Sequence, residues 1–180
     1  YEAEESVSAW HTFQTENGVV ESIASLPTAN GEKDELYLLV RRVINGQSVR
    51  YIEVMETGLP EDAQDSKEAF FVDCGASYHG EKASVISGLE YLEGQTVAVL
   101  ADGAVQNEKT VKDGKIVLDT AACVVHAGLP FTSVLQTMPL SNGAAEETAK
   151  KRIVAVLVRL YKSIGFKIGL EKTGEHQSFQ

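Results

Sequence analysis

Leu36-Tyr37-Leu38-Leu39-Val40-Arg41-Arg42-Val43-Ile44-Asn45-Gly46-Gln47-Ser48-Val49-Arg50-Tyr51-Ile52-Glu53-Val54 places two apolar, β-branched runs around an Asn-Gly pair. Asn and Gly both accept the positive φ that a primed two-residue turn requires, so the stretch reads as a β-hairpin. Such a turn sets Ile44 opposite Gln47 and fixes each pair outward from there. Leu36, Leu38, Val40, Val49 and Tyr51 then share one face, and Leu39, Val43, Ile52 and Val54 the other. A hairpin apolar on both faces is expected inside a stack of sheets. The same register puts Arg41 opposite Arg50, a like-charge pair that costs about a few tenths of a kcal/mol or more. A carboxylate from elsewhere must offset that repulsion, or the register is off by one.

Working outward, Asn-Gly or Asp-Gly recurs at Asn17-Gly18, Asn30-Gly31, Asp102-Gly103, Asp113-Gly114 and Asn142-Gly143. This turn chemistry between short apolar runs predicts an all-β, mainly antiparallel fold. Ser8–Phe13 and Gly18–Ala24 read as two strands preceding the hairpin, which makes residues 1–57 a four-stranded, blade-like meander. Residues 58–66 are acidic, contain Pro60, and read as a loop or linker. Ala69–Cys74, Ala83–Ile86, Thr96–Leu100, Ile116–Leu118, Ala122–His126 and Thr132–Thr137 are strand-like runs. Together they predict a small β-sandwich or barrel over 67–140. Residues 141–180 form a basic segment returning to the sheet. Residues 144–151 suit a short helix, the stretch from 152 reads as strand with helix over 152–164 as the alternative, and Phe166-Lys167-Ile168 reads as a hairpin return.

Composition narrows the function classes. The chain has 180 residues, 43% hydrophobic and 23% charged, with a net charge of −10. That balance excludes a disordered, collagenous or disulfide-dense chain. No apolar run approaches a membrane span. The acidity argues against a dedicated nucleic-acid binder, since phosphate affinity rests on Lys and Arg. Residues 1–75 carry 15 acids and 5 bases, whereas residues 151–180 carry 2 acids and 6 bases. Such polarity suits either a solvated surface or an oriented contact in an assembly. The start at Tyr1, without Met, reads as the edge of a longer polypeptide.

The search for chemistry nominates few residues. His11, His79, His126 and His176 lie far apart, and only His79 has ligand types nearby, in Cys74 and Glu81. That spacing matches no recognised metal motif, so no metal or cofactor is expected. Cys74 and Cys123 lie on apolar runs without flanking bases, which marks them as small hydrophobes and not nucleophiles. Asp65, Asp73, Glu81 and Glu90 are too few among many acids to nominate a glycosidase pair. Asp102 and Asp113 read as turn residues, not calcium ligands. No phosphate loop, dinucleotide fingerprint or nucleophile elbow occurs. No catalytic residue is assigned, and the chain is expected not to be an enzyme.

Two clusters carry a resemblance. The first is Ala9-Trp10-His11, Val20-Glu21-Ser22-Ile23, Asp34-Glu35-Leu36-Tyr37, Val40–Gln47 and Arg50-Tyr51-Ile52-Glu53. The second is Ile86–Val97, Leu100-Ala101-Asp102-Gly103-Ala104 and His126-Ala127-Gly128-Leu129-Pro130-Phe131. In this order they resemble the late part of tail tubular, nozzle or stabilisation proteins of short-tailed bacteriophages. The resemblance implies a non-enzymatic virion component, made in the bacterial cytoplasm and oligomeric in the full-length protein. Its partners would be other tail or connector proteins around the DNA exit path, with no sequence-specific nucleic acid and no membrane. The alternative is a carbohydrate-binding β-sandwich module of a surface or adhesion protein, which requires aromatics exposed on one face.

Overall fold

The computed structural model describes residues 12–28, 31, 34–56, 66–136, 154–159, 166–169 and 176–179. The strands are β1 (Gly18–Pro27), β2 (Asp34–Ile44), β3 (Gln47–Val54), β4 (Asp73–Ser87), β5 (Thr96–Ala101), β6 (Ala104–Thr110), β7 (Lys115–Leu129), β8 (Phe166–Gly169) and β9 (His176–Phe179). Every pairing between them is antiparallel. Short 3-10 turns occupy Ser66–Glu68 and Glu90–Leu92, and the described residues contain no α-helix. The fold is all-β, as the turn chemistry requires. The chain divides into two units, Tyr1–Phe131 and Thr132–Gln180, the second containing the β8–β9 hairpin.

The first sheet runs in the order β1-β2-β3. Asn45 and Gly46 both take positive φ, at 49° and 76°, so the β2–β3 turn has the primed geometry. Ile44 pairs with Gln47 and Arg41 with Arg50, the register derived from the turn. The offsetting carboxylate is Glu21. A bulge between Val20 and Ser22 interrupts the β1–β2 ladder. Glu21, at this bulge, accepts from Arg41 Nε at 2.9 Å and from Arg50 Nε at 2.7 Å. The irregularity thereby re-aims one side chain at both cations.

The second sheet runs β4-β7-β5-β6 and leaves β4 and β6 as open edges, so the barrel form of the prediction is not realised. Asp102-Gly103 and Asp113-Gly114 turn with positive φ at both residues, closing β5–β6 and leading into β7. The Asp102 carboxylate also accepts the backbone N–H groups of Cys123 and Val124. That of Glu93 accepts those of Asp113 and Gly114. Ile86, Leu89, Leu92, Val97, Val99, Val111, Ile116, Leu118 and Val125 fill the core. Each fully buried side chain of this kind contributes about 1.5–3 kcal/mol.

The two sheets share that core. Ile44 belongs to it, while Val49 and Tyr51 pack against it. The Tyr51 hydroxyl donates to the Tyr91 carbonyl at 2.8 Å, and the two rings meet edge to face with centroids 5.9 Å apart. The acidic segment at 58–66 therefore does not separate two cores.

Other departures have local causes. Asn17-Gly18 is not a hairpin turn: only Asn17 has positive φ, and Gly18 begins β1 against Val40 and Arg42. The expected strand Ser8–Phe13 lies mostly outside the described residues, and Thr12 and Phe13 are not in a strand, so three strands of the meander are described. Ala83–Ile86 and Cys74 join into β4, and Ile116–Leu118 and Ala122–His126 join into β7, because both long strands bridge irregularities in their ladder. Residues 132–136 and 154–159 are not strands, contrary to expectation. The helix expected at 144–151, and residues 152, 153 and 160–164, lie outside the described residues.

The closest backbone approach explains two glycines. At the β4 bulge, Cys74 takes φ 47°, and Gly75 comes so near β7 that a Cβ there would lie 2.8 Å from the Ala127 carbonyl. A Cβ on Gly128 would lie 2.6 Å from the Gly75 Cα. Gly128→Ala is therefore expected to destabilise the chain by about 1–3 kcal/mol, read as a lower urea midpoint.

Candidate functional site

The hairpin faces divide as the register requires, yet only one is covered. On the inner face Leu38, Val40, Arg42 and Ile44 are buried. On the outer face Val19 is 53% exposed, Val43 50% and Ile52 77%, with Val54 beside them. Among the described residues no second layer covers this face, so the expected stack on both sides is not met there. Its centre is the Arg41–Glu21–Arg50 cluster, an anion between two guanidinium groups. Hydrogen bonding from Arg50, and then from Arg41, holds the Glu21 carboxyl below the usual range.

Beneath it, the inner face carries a polar knot. Arg42 is buried, and its Nε and Nη2 grip the two carboxylate oxygens of Glu53 at 2.6 and 2.7 Å. Nη2 also donates to Thr15 Oγ1, and Nη1 to the Glu16 carbonyl. Asp73 in turn accepts from the Thr15 hydroxyl at 3.0 Å and the Glu16 N–H at 2.6 Å. Among the described residues no buried side-chain nitrogen or oxygen lacks a partner. Asp73, which the sequence did not single out from the other acids, is therefore engaged in holding the fold. Burial, and then the Glu53 carboxylate, push the neighbouring Cys74 thiol up to about 12, which suppresses thiolate chemistry. Cys123 is exposed and is not disulfide-bonded.

The remaining nominated residues separate into two groups. His11 and Asp65 lie outside the described residues, and His176 is placed by its backbone in β9. Glu81 and Glu90 are exposed. Asp102 and Asp113 are turn residues, as read. His79 and His126, by contrast, are brought together because β4 pairs with β7. Their rings sit edge to face with centroids 5.8 Å apart. Glu68, from the 3-10 turn, reaches His79 Nε2 at 3.1 Å. His126 is buried, with Nδ1 2.7 Å from Ser77 Oγ and Nε2 2.9 Å from the Lys67 carbonyl. Neither Glu68 nor the His79–His126 pairing was legible beforehand, since no spacing rule links residues joined only by strand register.

An open groove of about 540 Å³ lies between β6 and the first half of β7. Its polar side chains are engaged with one another. Gln106 donates to the Thr120 carbonyl and accepts from the Asp119 N–H, tying β6 to β7 through a side chain. Asn107 and Lys109 both bind the Asp119 carboxylate. This groove gathers no free nucleophile and base.

No protein-family model matches the chain, and neither does any curated protein. No helix among the described residues is long and apolar enough to cross a membrane.

Two outcomes follow from the charged groups. Arg42→Met leaves Glu53 without its buried partner and is expected to cost about 3–5 kcal/mol in urea unfolding. The Arg42→Met/Glu53→Leu double variant should lose less than the two single variants summed. For Glu21, the folded carboxyl titrates below its unfolded value, so its stabilisation is present above the unfolded pKa and fades as pH falls through the folded one. The Tm difference between wild type and Glu21→Gln should therefore be largest near neutrality, shrink on acidification, and shrink with added salt.

Proposed function

We propose that this chain is a structural component of a bacteriophage tail, with the outer face of the β1-β2-β3 sheet packing against a neighbouring subunit. The observation that carries this reading is the exposed apolar area of Val19, Val43, Ile52 and Val54 around a charged centre, on a sheet whose opposite face buries Leu38, Val40, Arg42 and Ile44. The ordered sequence clusters that resemble short-tailed phage tail proteins supply the assembly. A ring of such subunits around the exit path would also use the acid-rich residues 1–75, because a negative wall repels the phosphate backbone and leaves DNA free to slide. The contact is one between protein surfaces and requires no catalytic group.

A carbohydrate-binding role has less support. Tyr37, Tyr51 and Tyr78 are half-buried, and their hydroxyls donate to Glu35, to the Tyr91 carbonyl and to the Glu81 carbonyl. These tyrosines offer no exposed stacking platform, and the exposed aromatics among the described residues are Phe13, Phe71 and Phe131.

The test is to purify tailed particles from a bacterium carrying the gene and to compare wild type with Ile52→Glu. Ile52 is 77% exposed, so the variant should fold with an unchanged Tm in isolation. The chain is expected in the particles by mass spectrometry, and Ile52→Glu should be depleted from them. Absence of the wild-type chain from the particles, or normal incorporation of Ile52→Glu, would overturn the proposal.

A further inference from the structure

The side chains of Glu68, His79 and His126 each offer a ligand atom, and all three atoms lie within 4.8 Å of one another. Two imidazoles and one carboxylate form a donor set that suits zinc and similar borderline divalent ions, typically with water in the remaining position. Three separate elements supply them: the Ser66–Glu68 turn, β4 and β7. We propose that this cluster binds a divalent transition-metal ion of the zinc class, independently of any role in a tail.

Three features favour a site over a chance meeting of side chains. First, a ligating imidazole is ordinarily oriented by an oxygen at its other nitrogen. His126 has Ser77 Oγ at Nδ1 and the Lys67 carbonyl at Nε2, so whichever nitrogen ligates, the other keeps an oxygen partner. Second, His126 is buried and braced edge to face by Phe70 with centroids 5.7 Å apart, which limits the motion of one ligand in advance. Third, the cluster is graded from buried His126, through half-buried Glu68, to exposed His79, which gives an ion an entry path and room for a solvent ligand. On binding, the Glu68–His79 hydrogen bond and the hydrogen bond at whichever His126 nitrogen ligates give way to three bonds from these groups to the ion. The turn at Ser66–Glu68 would then be fastened to the β4–β7 ladder.

The test titrates the tag-free full chain with Co(II), read by visible absorption, and with Zn(II), read by calorimetry and by Tm. One equivalent should bind and raise the Tm, because an ion that binds the folded state stabilises it by mass action. His79→Ala and Glu68→Ala alter side chains open to solvent, and both variants should retain the wild-type circular dichroism. Each should weaken binding about tenfold or more and abolish the Tm rise, as loss of one of three protein ligands requires. His176→Ala should bind as wild type does. Absence of stoichiometric binding, or binding that survives His79→Ala and Glu68→Ala, would overturn the site. Because the readout is metal binding alone, its failure leaves the tail proposal untouched.

Discussion

A buried guanidinium organises the first unit. Arg42 lies on the inner face of β2, where alternation calls for an apolar residue, and desolvating its charge costs several kcal/mol before any contact is made. The cost is offset because each of its nitrogens meets an oxygen. Glu53 supplies a bidentate carboxylate, Thr15 a hydroxyl and Glu16 a carbonyl. Thr15 and Glu16 in turn face Asp73 at the start of β4. One cation thus fixes the approach of the chain into β1, the pairing of β2 with β3, and the seat of the first sheet against the second. An apolar residue at this position would fill the volume without demanding any of those partners.

Local chemistry was legible in the sequence wherever it was sufficient. Asn45-Gly46, Asp102-Gly103 and Asp113-Gly114 determine backbone geometry over two residues, and the strands on either side follow from that. The Arg41–Arg50 repulsion even called for a carboxylate, although only the bulge in β1 identifies it as Glu21. Readings failed where a longer-range contact decided the outcome. Asn17-Gly18 carries the same letters as a hairpin turn, but Gly18 is required by the packing of Thr15, Val40 and Arg42. Residues 132–136 have strand composition without strand structure. An acidic, Pro-containing stretch looks like a loop or linker whether or not the flanking elements pack together, so the core shared by the two sheets could not be read from it.

The same distinction governs the candidate sites. That the hairpin has two apolar faces can be read from alternation alone, but which one is left exposed depends on where the second sheet lies. The Glu68–His79–His126 cluster is further from the sequence still. It depends on the registers that set Ser77 opposite His126 and His79 opposite Val124, and on a turn far from both. Irregularities in the β4–β7 ladder change those registers, so no count of residues between the histidines could have anticipated the meeting.

The bulge at Glu21 also has a consequence for symmetry. One carboxylate between two arginines leaves a surplus positive charge at the centre of the outer face. Two copies meeting through this face across a twofold axis would bring those surpluses together in the region that loses water, where repulsion is strongest. A head-to-tail contact would instead set this patch against a different part of its neighbour, in a chain whose net charge is −10. Contacts of that kind close into rings when the rotation between neighbours permits, and extend into filaments when it does not. If copies of the chain met through this face, as proposed above, the surplus charge set by one extra residue in an edge strand would oppose a twofold arrangement.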